Sequence, residues 1–244
     1  MTTCLITDLG FISYSDAFAL QRRLVAARKA GAIDDVFLLC EHPHVITLGR
    51  NANRSNLLAS EPVLRQKAVE LHETNRGGDI TYHGPGQIVG YPILNLAHLR
   101  RDVGWYVRTL EEVMIRASSN FGVTAYRVAE RTGIWVEAGG KEEKLAAIGV
   151  HISRWVTSHG MAYNVSTDLR YFDWIVPCGI AERRATSLER ALGRPVACGE
   201  VRERMVARFG EVFDRVLKHV SRGELCEALE TPNQEARSVI AATV

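Results

Sequence analysis

The stretch RGGDITYHGPGQ, residues 76–87, interrupts an otherwise ordinary globular sequence with four glycines and one proline. Glycine is used this densely where the backbone turns sharply or approaches a ligand closely, because it has no Cβ to forbid a positive φ or to block contact. The same stretch carries arginine, aspartate, tyrosine, histidine and glutamine, which a plain turn would not need. It therefore predicts the wall of a binding site, with two tight turns around a short strand as the simpler alternative.

Strands dominate the sequence on the carboxyl side of this stretch. Apolar and β-branched segments occur at residues 87–96, 123–126, 133–136, 145–156 and 161–165. The last four succeed one another without an intervening helix, which favours antiparallel pairing over a doubly wound parallel sheet. We therefore predict an α+β fold, with a mixed, largely antiparallel sheet and flanking helices.

Helical periodicity marks the elements that flank the predicted sheet. Between residues 102 and 122, apolar residues recur at three- and four-residue steps, with Asp102 as the cap. A first helix is predicted over residues 15–31, capped by Ser15, because the same spacing occurs there. A third helix begins near Glu200, and its apolar face extends to Leu217.

Length and composition are those of one globular domain. With 244 residues, 46% of them hydrophobic, the chain is long enough to bury a sizeable core. We expect one domain over residues 1–230 and a loosely ordered tail, 231–244. The net charge of +2 is too small to indicate a nucleic-acid partner. Neither a signal peptide nor a window of 18 apolar residues is present, so we expect a cytoplasmic protein without a membrane partner.

The cysteine pattern argues against disulfides and metal. Five scattered cysteines without a CxxC pair fit neither a disulfide framework nor a structural zinc site. Cys40, His42 and His44 form a local cluster, but Pro43 forces an extended or turning backbone between the histidines and no second pair of ligands lies nearby. We therefore expect reduced thiols and no metal.

Cys178 and Lys144 are the residues best suited to nucleophilic chemistry. Cys178 stands between a proline and a glycine, where a turn would expose the thiol, whereas Cys4 and Cys40 lie in apolar strands. Lys144 opens an apolar strand, and partial desolvation would lower the pKa of its amine so that it could accept the thiol proton. Alternatively, Lys144 ends a solvated turn of sequence KEEK, and an imidazole activates the thiol. The candidate imidazoles are those of His83, His151 and His159.

Four separated motifs share a glycine-plus-polar character: the opening stretch, KLAAIG at 144–149, HGMAYNVSTDL at 159–169 and IVPCGI at 175–180. In order and wording they resemble the motifs of the lipoyl(octanoyl) transferases of lipoate biosynthesis. The resemblance covers roughly residues 38–188 and implies the fold of the lipoate and biotin protein ligases. Tyr163 departs from the family pattern, which more often has leucine there, and this would alter either the pocket wall or only its packing.

The resemblance also implies which residues carry the chemistry. Cys178 matches the nucleophile of the family, and Lys144 matches the lysine that lowers the pKa of that thiol and serves as general acid and base. Further motif residues match the acyl-binding elements of the family. They are Arg76, Gly77, Gly78, Asp79, Ile80, Thr81, Tyr82, His83, Ala147, Ile148, Gly149, Gly160, Met161 and Ala162.

The activity that the resemblance implies is transfer of an octanoyl group from octanoyl-acyl carrier protein to a lysine of apo lipoyl domains, through a thioester on Cys178. The acceptors would be the lipoyl domains of 2-oxoacid dehydrogenases and the glycine cleavage H protein. No cofactor and no ATP are expected, because exchange between thioesters is nearly balanced and amide formation from a thioester is downhill. The alternatives are an ATP-dependent lipoate or biotin protein ligase, which would not need Cys178, and a non-catalytic acyl-binding module.

A protein donor must also dock on the surface. Acyl carrier proteins are typically acidic, so arginine side chains are the expected receiving groups. The candidates are Arg127, Arg131, Arg183, Arg184 and Arg190.

Overall fold

The computed structural model describes residues 2–176 and 184–230. The predicted tail, 231–244, and the predicted nucleophile Cys178 lie outside these residues. The described strands are β1 (Thr2–Phe11), β2 (Asp35–Glu41), β3 (Val45–Leu48), β4 (Glu70–Glu73), β5 (Ile80–His83), β6 (Gln87–Ile93), β7 (Tyr126–Val128), β8 (Arg131–Ala138), β9 (Lys141–Ser153), β10 (Val156–Asn164) and β11 (Arg215–His219). The described helices are α1 (Tyr14–Lys29), α2 (Glu61–Gln66), α3 (Val103–Ser119), α4 (Leu188–Leu192), α5 (Cys198–Phe213) and α6 (Arg222–Glu230).

Eight of these strands form one mixed sheet in the order β11-β1-β2-β6-β10-β9-β8-β7. β1 runs parallel to both β11 and β2, and every other neighbouring pair in this sheet is antiparallel. β8, β9 and β10 follow one another along the chain and pair directly, as expected of strands joined by short connections. The predicted α+β fold with a largely antiparallel sheet is confirmed.

A second, three-stranded sheet has the order β4-β3-β5 and carries part of the opening stretch. β5 is the short strand within that stretch, and the turn after it leads directly into β6 of the large sheet. Gly86 in this turn has φ +77, and a Cβ at this position would lie 2.5 Å from Ser166 Oγ. The stretch therefore contains a tight turn that links the two sheets, and only glycine fits it.

Helices cover both faces of the large sheet with their apolar sides. On β2, Phe37 joins the core beneath α3 and α5, whereas the neighbouring Leu38 joins the core beneath α1. Alternation along a strand sends successive side chains to opposite faces, so both faces of this strand are buried. Within the described residues, none of the helices has the length and apolar composition needed to cross a bilayer.

Two predicted helix boundaries are wrong. α1 is capped by Ser13 and not by Ser15, because the Ser13 hydroxyl accepts from the backbone N–H of Asp16 at 3.1 Å. α5 ends at Phe213 and does not continue to Leu217. Asp214 has φ 51 and turns the chain out of the helix. The following residues pair with β1 as strand β11. They do so because the edge of the large sheet offers backbone hydrogen-bond partners that a longer helix would leave unused.

Candidate active site

A mostly apolar cavity lies where β6, β9 and β10 of the large sheet face β5 and the loop that precedes it. It brings together residues from three of the motifs that are distant in the sequence. Of the predicted acyl-binding residues, those that line it are Arg76, Gly78, Asp79, Ile80, Thr81, His83, Ala147, Ile148, Gly149, Gly160, Met161 and Ala162. Lys144 lines the same cavity.

Small residues on paired strands leave room for a ligand along the cavity floor. Ala147 pairs with Ala162, and Gly149 pairs with Gly160, across β9 and β10. A Cβ on Gly160 would lie 2.1 Å from the carbonyl oxygen of Gly90, so β10 can approach β6 this closely only with glycine there. The floor is therefore a shallow apolar trough, a shape that suits an extended alkyl chain.

Two predicted wall residues do not line the cavity. Gly77 instead supports the loop before β5 through its backbone: its N–H donates to the carbonyl of Val150 at 2.8 Å. Tyr82 is fully buried on the opposite face of β5, where its ring stacks on Tyr171 at 4.9 Å and its hydroxyl bonds with His44 at 2.7 Å. Since neighbouring residues of a strand point to opposite faces, a predicted set of eight consecutive residues could not all face one ligand.

Arg76 stabilises the cavity wall through hydrogen bonds to Thr47. Only 7% of this residue is exposed, and its guanidinium donates to the carbonyl and the hydroxyl of Thr47 at 2.7 and 2.9 Å. Asp79 has a comparable role, since its carboxylate accepts from the backbone of Asn53 and the side chain of Asn56. These bonds fix the loop after β3 against the cavity wall.

Lys144 lies within β9 and not in a charged turn. The strand begins at Lys141, and Lys144 is half-buried with its Nζ donating to the carbonyl of Thr132 at 3.2 Å. The ammonium also lies 4.8 Å from the centre of the Trp135 ring, close enough for a cation–π contact. The interpretation of KEEK as a solvated turn is therefore wrong.

The backbone of Lys144 is anchored to the chain that follows the predicted nucleophile. Its N–H donates to the carbonyl of Arg184, and its carbonyl accepts from Thr186, both at 2.9 Å. Arg184 and Ala185 line the cavity beside Lys144. Earlier in the sequence, the N–H of Val176 donates to the carbonyl of Asn56 at 2.8 Å.

Sequence comparison decides the family. Residues 13–210 match the family described as lipoyl protein ligase A/B catalytic domain. A protein named octanoyltransferase from Solibacter usitatus (strain Ellin6076) is 52% identical over 214 residues, which cover 88% of this chain and 94% of that protein. The octanoyltransferase of Acidobacterium capsulatum is 52% identical over 241 residues, with 94% and 98% covered. The chain belongs to the octanoyltransferase family.

Solved structures of lipoate ligases share the fold at much lower identity. A bi-partite lipoate protein ligase from Thermoplasma acidophilum aligns with a TM-score of 0.74 at 16% identity, over 98% of this chain and 92% of that one. A lipoate-protein ligase A structure bound with ATP gives 0.72 at 17%, over 98% and 94%. This likeness concerns the fold alone and confirms the predicted lipoate ligase-like architecture. Membership of this family makes the chain an acyltransferase and supports octanoyl transfer in protein lipoylation.

Two histidines that line the cavity are neutral at physiological pH. Burial, with the nearby His42 as a second cause, lowers the pKa of His83 from 6.5 to about 3. Burial, with the Arg76 charge as a second cause, likewise lowers the pKa of His159 to about 3. The His159 ring stacks on Phe18 at 5.2 Å and its Nε2 bonds with the side-chain oxygen of Asn75 at 2.7 Å. Both imidazoles therefore serve as uncharged hydrogen-bonding groups.

The other described cysteines are poor nucleophiles. Burial raises the pKa of both Cys4 and Cys40 far above the ordinary thiol value. Burial, and then the Glu41 carboxylate, also raise the pKa of the half-buried Cys198. A raised pKa leaves little thiolate at neutral pH, so these side chains act as small apolar residues.

The local cluster of Cys40, His42 and His44 holds no obvious metal geometry. His42 Nδ1 donates to the carbonyl of Ile12 at 2.8 Å, and its Nε2 accepts from the Tyr91 hydroxyl at 2.8 Å. Both ring nitrogens are thus engaged in protein hydrogen bonds. Among residues 2–176 and 184–230, no three His, Cys, Asp or Glu side chains gather as metal ligands would.

Tyr163 does not face the cavity. It belongs to the core beneath α3, and its hydroxyl bonds with the Ser118 hydroxyl at 2.7 Å. Its neighbours Ala162 and Asn164 face the cavity instead. The departure from the family's leucine therefore changes packing behind the sheet and not the pocket wall.

Several cavity residues were not predicted from the sequence. Asn164 stood in a recognised motif, and strand alternation from Ala162 was the signal that could have placed it on the cavity face. The others come from elements whose apolar periodicity indicated only core. The unpredicted lining residues include Tyr14, Val89, Tyr91, Trp135, Asn164 and Phe172.

Most of the proposed docking arginines are engaged in ion pairs. Arg127 bonds with Glu112 at 2.7 Å, and Arg131 bonds with Glu142 at 2.9 Å. Arg190 lies 3.6 Å from Glu143. Arg184 is exposed and lines the cavity, whereas Arg183 lies outside the described residues.

Proposed function

We propose that the chain transfers an octanoyl group through a covalent thioester on Cys178, in two half-reactions. In the first, the Cys178 thiolate attacks the thioester carbonyl of the donor, a new C–S bond forms and the donor thiol departs. In the second, the amine of an acceptor lysine attacks the acyl-enzyme, an amide bond forms and the Cys178 thiol is released. Each half-reaction exchanges one acyl bond for another, so neither an oxidant nor ATP enters the balance.

The observation that carries this proposal is that Lys144 lines the same apolar cavity as the predicted acyl-binding residues. An acyl chain laid along Ala147, Gly149 and Gly160 would extend from the end of the cavity at which Lys144 lies. Burial of an alkyl chain contributes about 0.8 kcal/mol for each methylene, so this trough would supply most of the affinity for the acyl group. Pro177, Cys178 and Gly179 follow Val176 directly in the sequence.

Lys144 is proposed as the general acid and base of both half-reactions. Its amine would take the proton from the Cys178 thiol and return it to the departing donor thiol. In the second half-reaction it would accept a proton from the attacking lysine amine and return one to Cys178. The Trp135 ring and the Thr132 carbonyl hold the Lys144 ammonium in place, and backbone hydrogen bonds tie Lys144 to Arg184 and Thr186, which follow Cys178 in the sequence.

The proposed donor is octanoyl-acyl carrier protein, and the proposed acceptors are apo lipoyl domains of 2-oxoacid dehydrogenases and the glycine cleavage H protein. The family relationship supports an acyl donor and lipoyl-domain acceptors in general terms. We further propose that residues 1–230 form the catalytic domain and that the reaction takes place in the cytoplasm. The free thiols of Cys4, Cys40, Cys198 and Cys226 agree with a reducing compartment.

Intact-protein mass spectrometry tests the nucleophile directly. Incubation with octanoyl-acyl carrier protein should add the mass of one octanoyl group, and hydroxylamine should remove it as expected of a thioester. Cys178→Ser should form no hydroxylamine-labile adduct, whereas Cys198→Ser, a matched change at another thiol, should acylate like the wild type. A labile adduct on Cys178→Ser would remove Cys178 from the mechanism. Product formed from free octanoate only with ATP would instead favour a ligase.

A further inference from the structure

Two buried amide side chains lie next to each other in the floor of the cavity. Gln87 on β6 and Asn164 on β10 are paired across the sheet, and both line the cavity. Their exposed fractions are 2% and 3%. Unsatisfied polar groups in such a position cost roughly 1–3 kcal/mol each, so their hydrogen bonds must be complete for the site to be stable. We name this pair the amide relay.

The hydrogen bonds of the amide relay have only one consistent direction. Asn164 Nδ2 lies 2.9 Å from the carbonyl oxygen of Thr186, which can only accept. Asn164 Oδ1 must therefore face Gln87, whose Nε2 donates to it at 2.8 Å and also to the carbonyl of Tyr82 at 3.2 Å. The remaining atom, Gln87 Oε1, lies 2.6 Å from His83 Nδ1 and can only accept from it. His83 must then carry its proton on Nδ1.

Each end of the amide relay reaches a different wall of the cavity. At one end, the protonated Nδ1 of His83 leaves its Nε2 as a hydrogen-bond acceptor, and the lowered pKa of this residue, about 3, keeps the ring neutral. At the other end, Thr186 is bonded through its own N–H to the carbonyl of Lys144 at 2.9 Å. The relay thus spans the cavity from an imidazole to the backbone that holds the proposed catalytic lysine.

We infer that Gln87 and Asn164 are positioning residues of acyl transfer, a role that rests on the function proposed above. On one side they hold His83 in its Nδ1–H tautomer. On the other they fix residues 184–186 beside Lys144. The relay does not touch the reacting atoms; it fixes the backbone beside Lys144, which does, and a displacement of about 1 Å in such a group can lower a rate roughly a hundredfold.

Asn164→Asp is the sharpest variant. It preserves size and the oxygen that accepts from Gln87, but it replaces the donor to Thr186 with a second carboxylate oxygen. Asn95→Asp is the matched control, because the Asn95 oxygen accepts from the backbone of Ala97 in a helical cap, and aspartate caps equally well. We expect Asn164→Asp to lower the single-turnover rate of acyl-enzyme formation by roughly a hundredfold with KM for the donor within about threefold. Asn95→Asp should match the wild type in both.

A second measurement uses the wild-type protein and therefore does not depend on the stability of a variant. Nitrogen-15 NMR of the wild-type protein should show His83 with its proton on Nδ1.

Gln87→Glu should raise the pKa of His83, because a carboxylate would face its ring, and should slow acylation as Asn164→Asp does.

The outcomes separate this inference from the proposed function. A wild type that forms no acyl adduct overturns both. A wild type that acylates while Asn164→Asp acylates equally fast, or a His83 proton found on Nε2, overturns the amide relay alone. A raised KM with an unchanged acylation rate would also overturn it, since that would be a binding role.

Discussion

The residue whose environment matters most is Lys144. Its sequence context was compatible with a solvated turn or with a partly desolvated strand, and the pattern KEEK could not choose between them. The structure places it inside β9, against Trp135 and within hydrogen-bonding distance of the Thr132 carbonyl. Residue pattern alone could not reveal this, because the contacts come from the neighbouring strand and depend on the register between β8 and β9.

Replacing Lys144 should reduce the reactivity of Cys178. We expect Lys144→Ala to slow alkylation of Cys178 roughly tenfold at pH 7, because an ammonium neighbour stabilises the thiolate. Lys141→Ala, an exposed lysine at the start of the same strand, is the matched control and should leave the rate unchanged. The difference should vanish above about pH 9.5, where thiols are ionised without assistance. Equal rates for the two variants at pH 7 would remove the activating role of Lys144.

The buried histidines should make the fold sensitive to acid. In the folded state His83 and His159 bind a proton only near pH 3, whereas the unfolded chain binds one near pH 6.5. Between these values the unfolded state holds more protons, so stability rises with pH and is complete above about pH 6.5. From pH 6.5 to 5 we expect a loss of about 2 kcal/mol per histidine in the free energy of unfolding.

NMR titration checks this sensitivity site by site. The imidazole signals of His83 and His159 should not shift between pH 7 and 5 in the folded protein, and urea-unfolded protein serves as the control with titration near pH 6.5. Urea denaturation at the two pH values should show the matching loss of stability. Midpoints near 6.5 in the folded state would contradict the neutral assignment of these rings.

At the scale of elements, the meeting of β6 and β10 is the critical contact. Gly160→Ala should destabilise the protein by about 3 kcal/mol or more, because the added Cβ would lie 2.1 Å from the Gly90 carbonyl and backbone cannot yield as a side chain does. Gly199→Ala is the control: it lies in α5 with open space around it, and alanine should stabilise the helix by up to about 1 kcal/mol. Chemical denaturation measures both, and equal stabilities would contradict the close approach.

Local sequence signals predicted an element well where its hydrogen-bond partner lies only a few residues away in the sequence. Asp102 caps α3 as expected, since its carboxylate accepts from the Trp105 N–H only three residues ahead. The end of α5 was not predictable in this way. Residues 215–219 have an apolar spacing compatible with a helix, and their partner is β1 at the opposite end of the chain. Only the assembled sheet makes their strand conformation favourable.

At the scale of the whole molecule, the class of fold and the motifs that form the site could be predicted, but their geometry could not. The strand succession indicated the sheet, and the motifs named most of the cavity. The amide relay escaped prediction because Gln87 and Asn164 are separated by 77 residues and meet only through the register of β6 and β10. The same register turns Tyr163 away from the cavity. The tyrosine that replaces the family's leucine therefore affects core packing and not the pocket wall.

Docking of the donor should depend on the arginine at the cavity and not on distant ones. Arg184→Ala should raise KM for acyl carrier protein by roughly threefold or more at low salt. The substitution removes a positive charge at the cavity wall that would attract an acidic partner. Arg194→Ala, an exposed arginine that does not line the cavity, should have little effect. The difference should shrink near 1 M salt, where charges are screened within about 3 Å. Equal KM values for the two variants would place docking elsewhere.

The central claim is that the octanoyl group resides on the enzyme between two half-reactions. The direct measurement is a chase: acyl-enzyme is isolated free of donor, mixed with apo lipoyl domain without ATP, and both proteins are followed by intact mass. We expect the enzyme to lose one octanoyl group at the rate at which the lipoyl domain gains one on a lysine. An adduct that persists on the enzyme while the lipoyl domain stays unmodified would contradict the thioester as an intermediate.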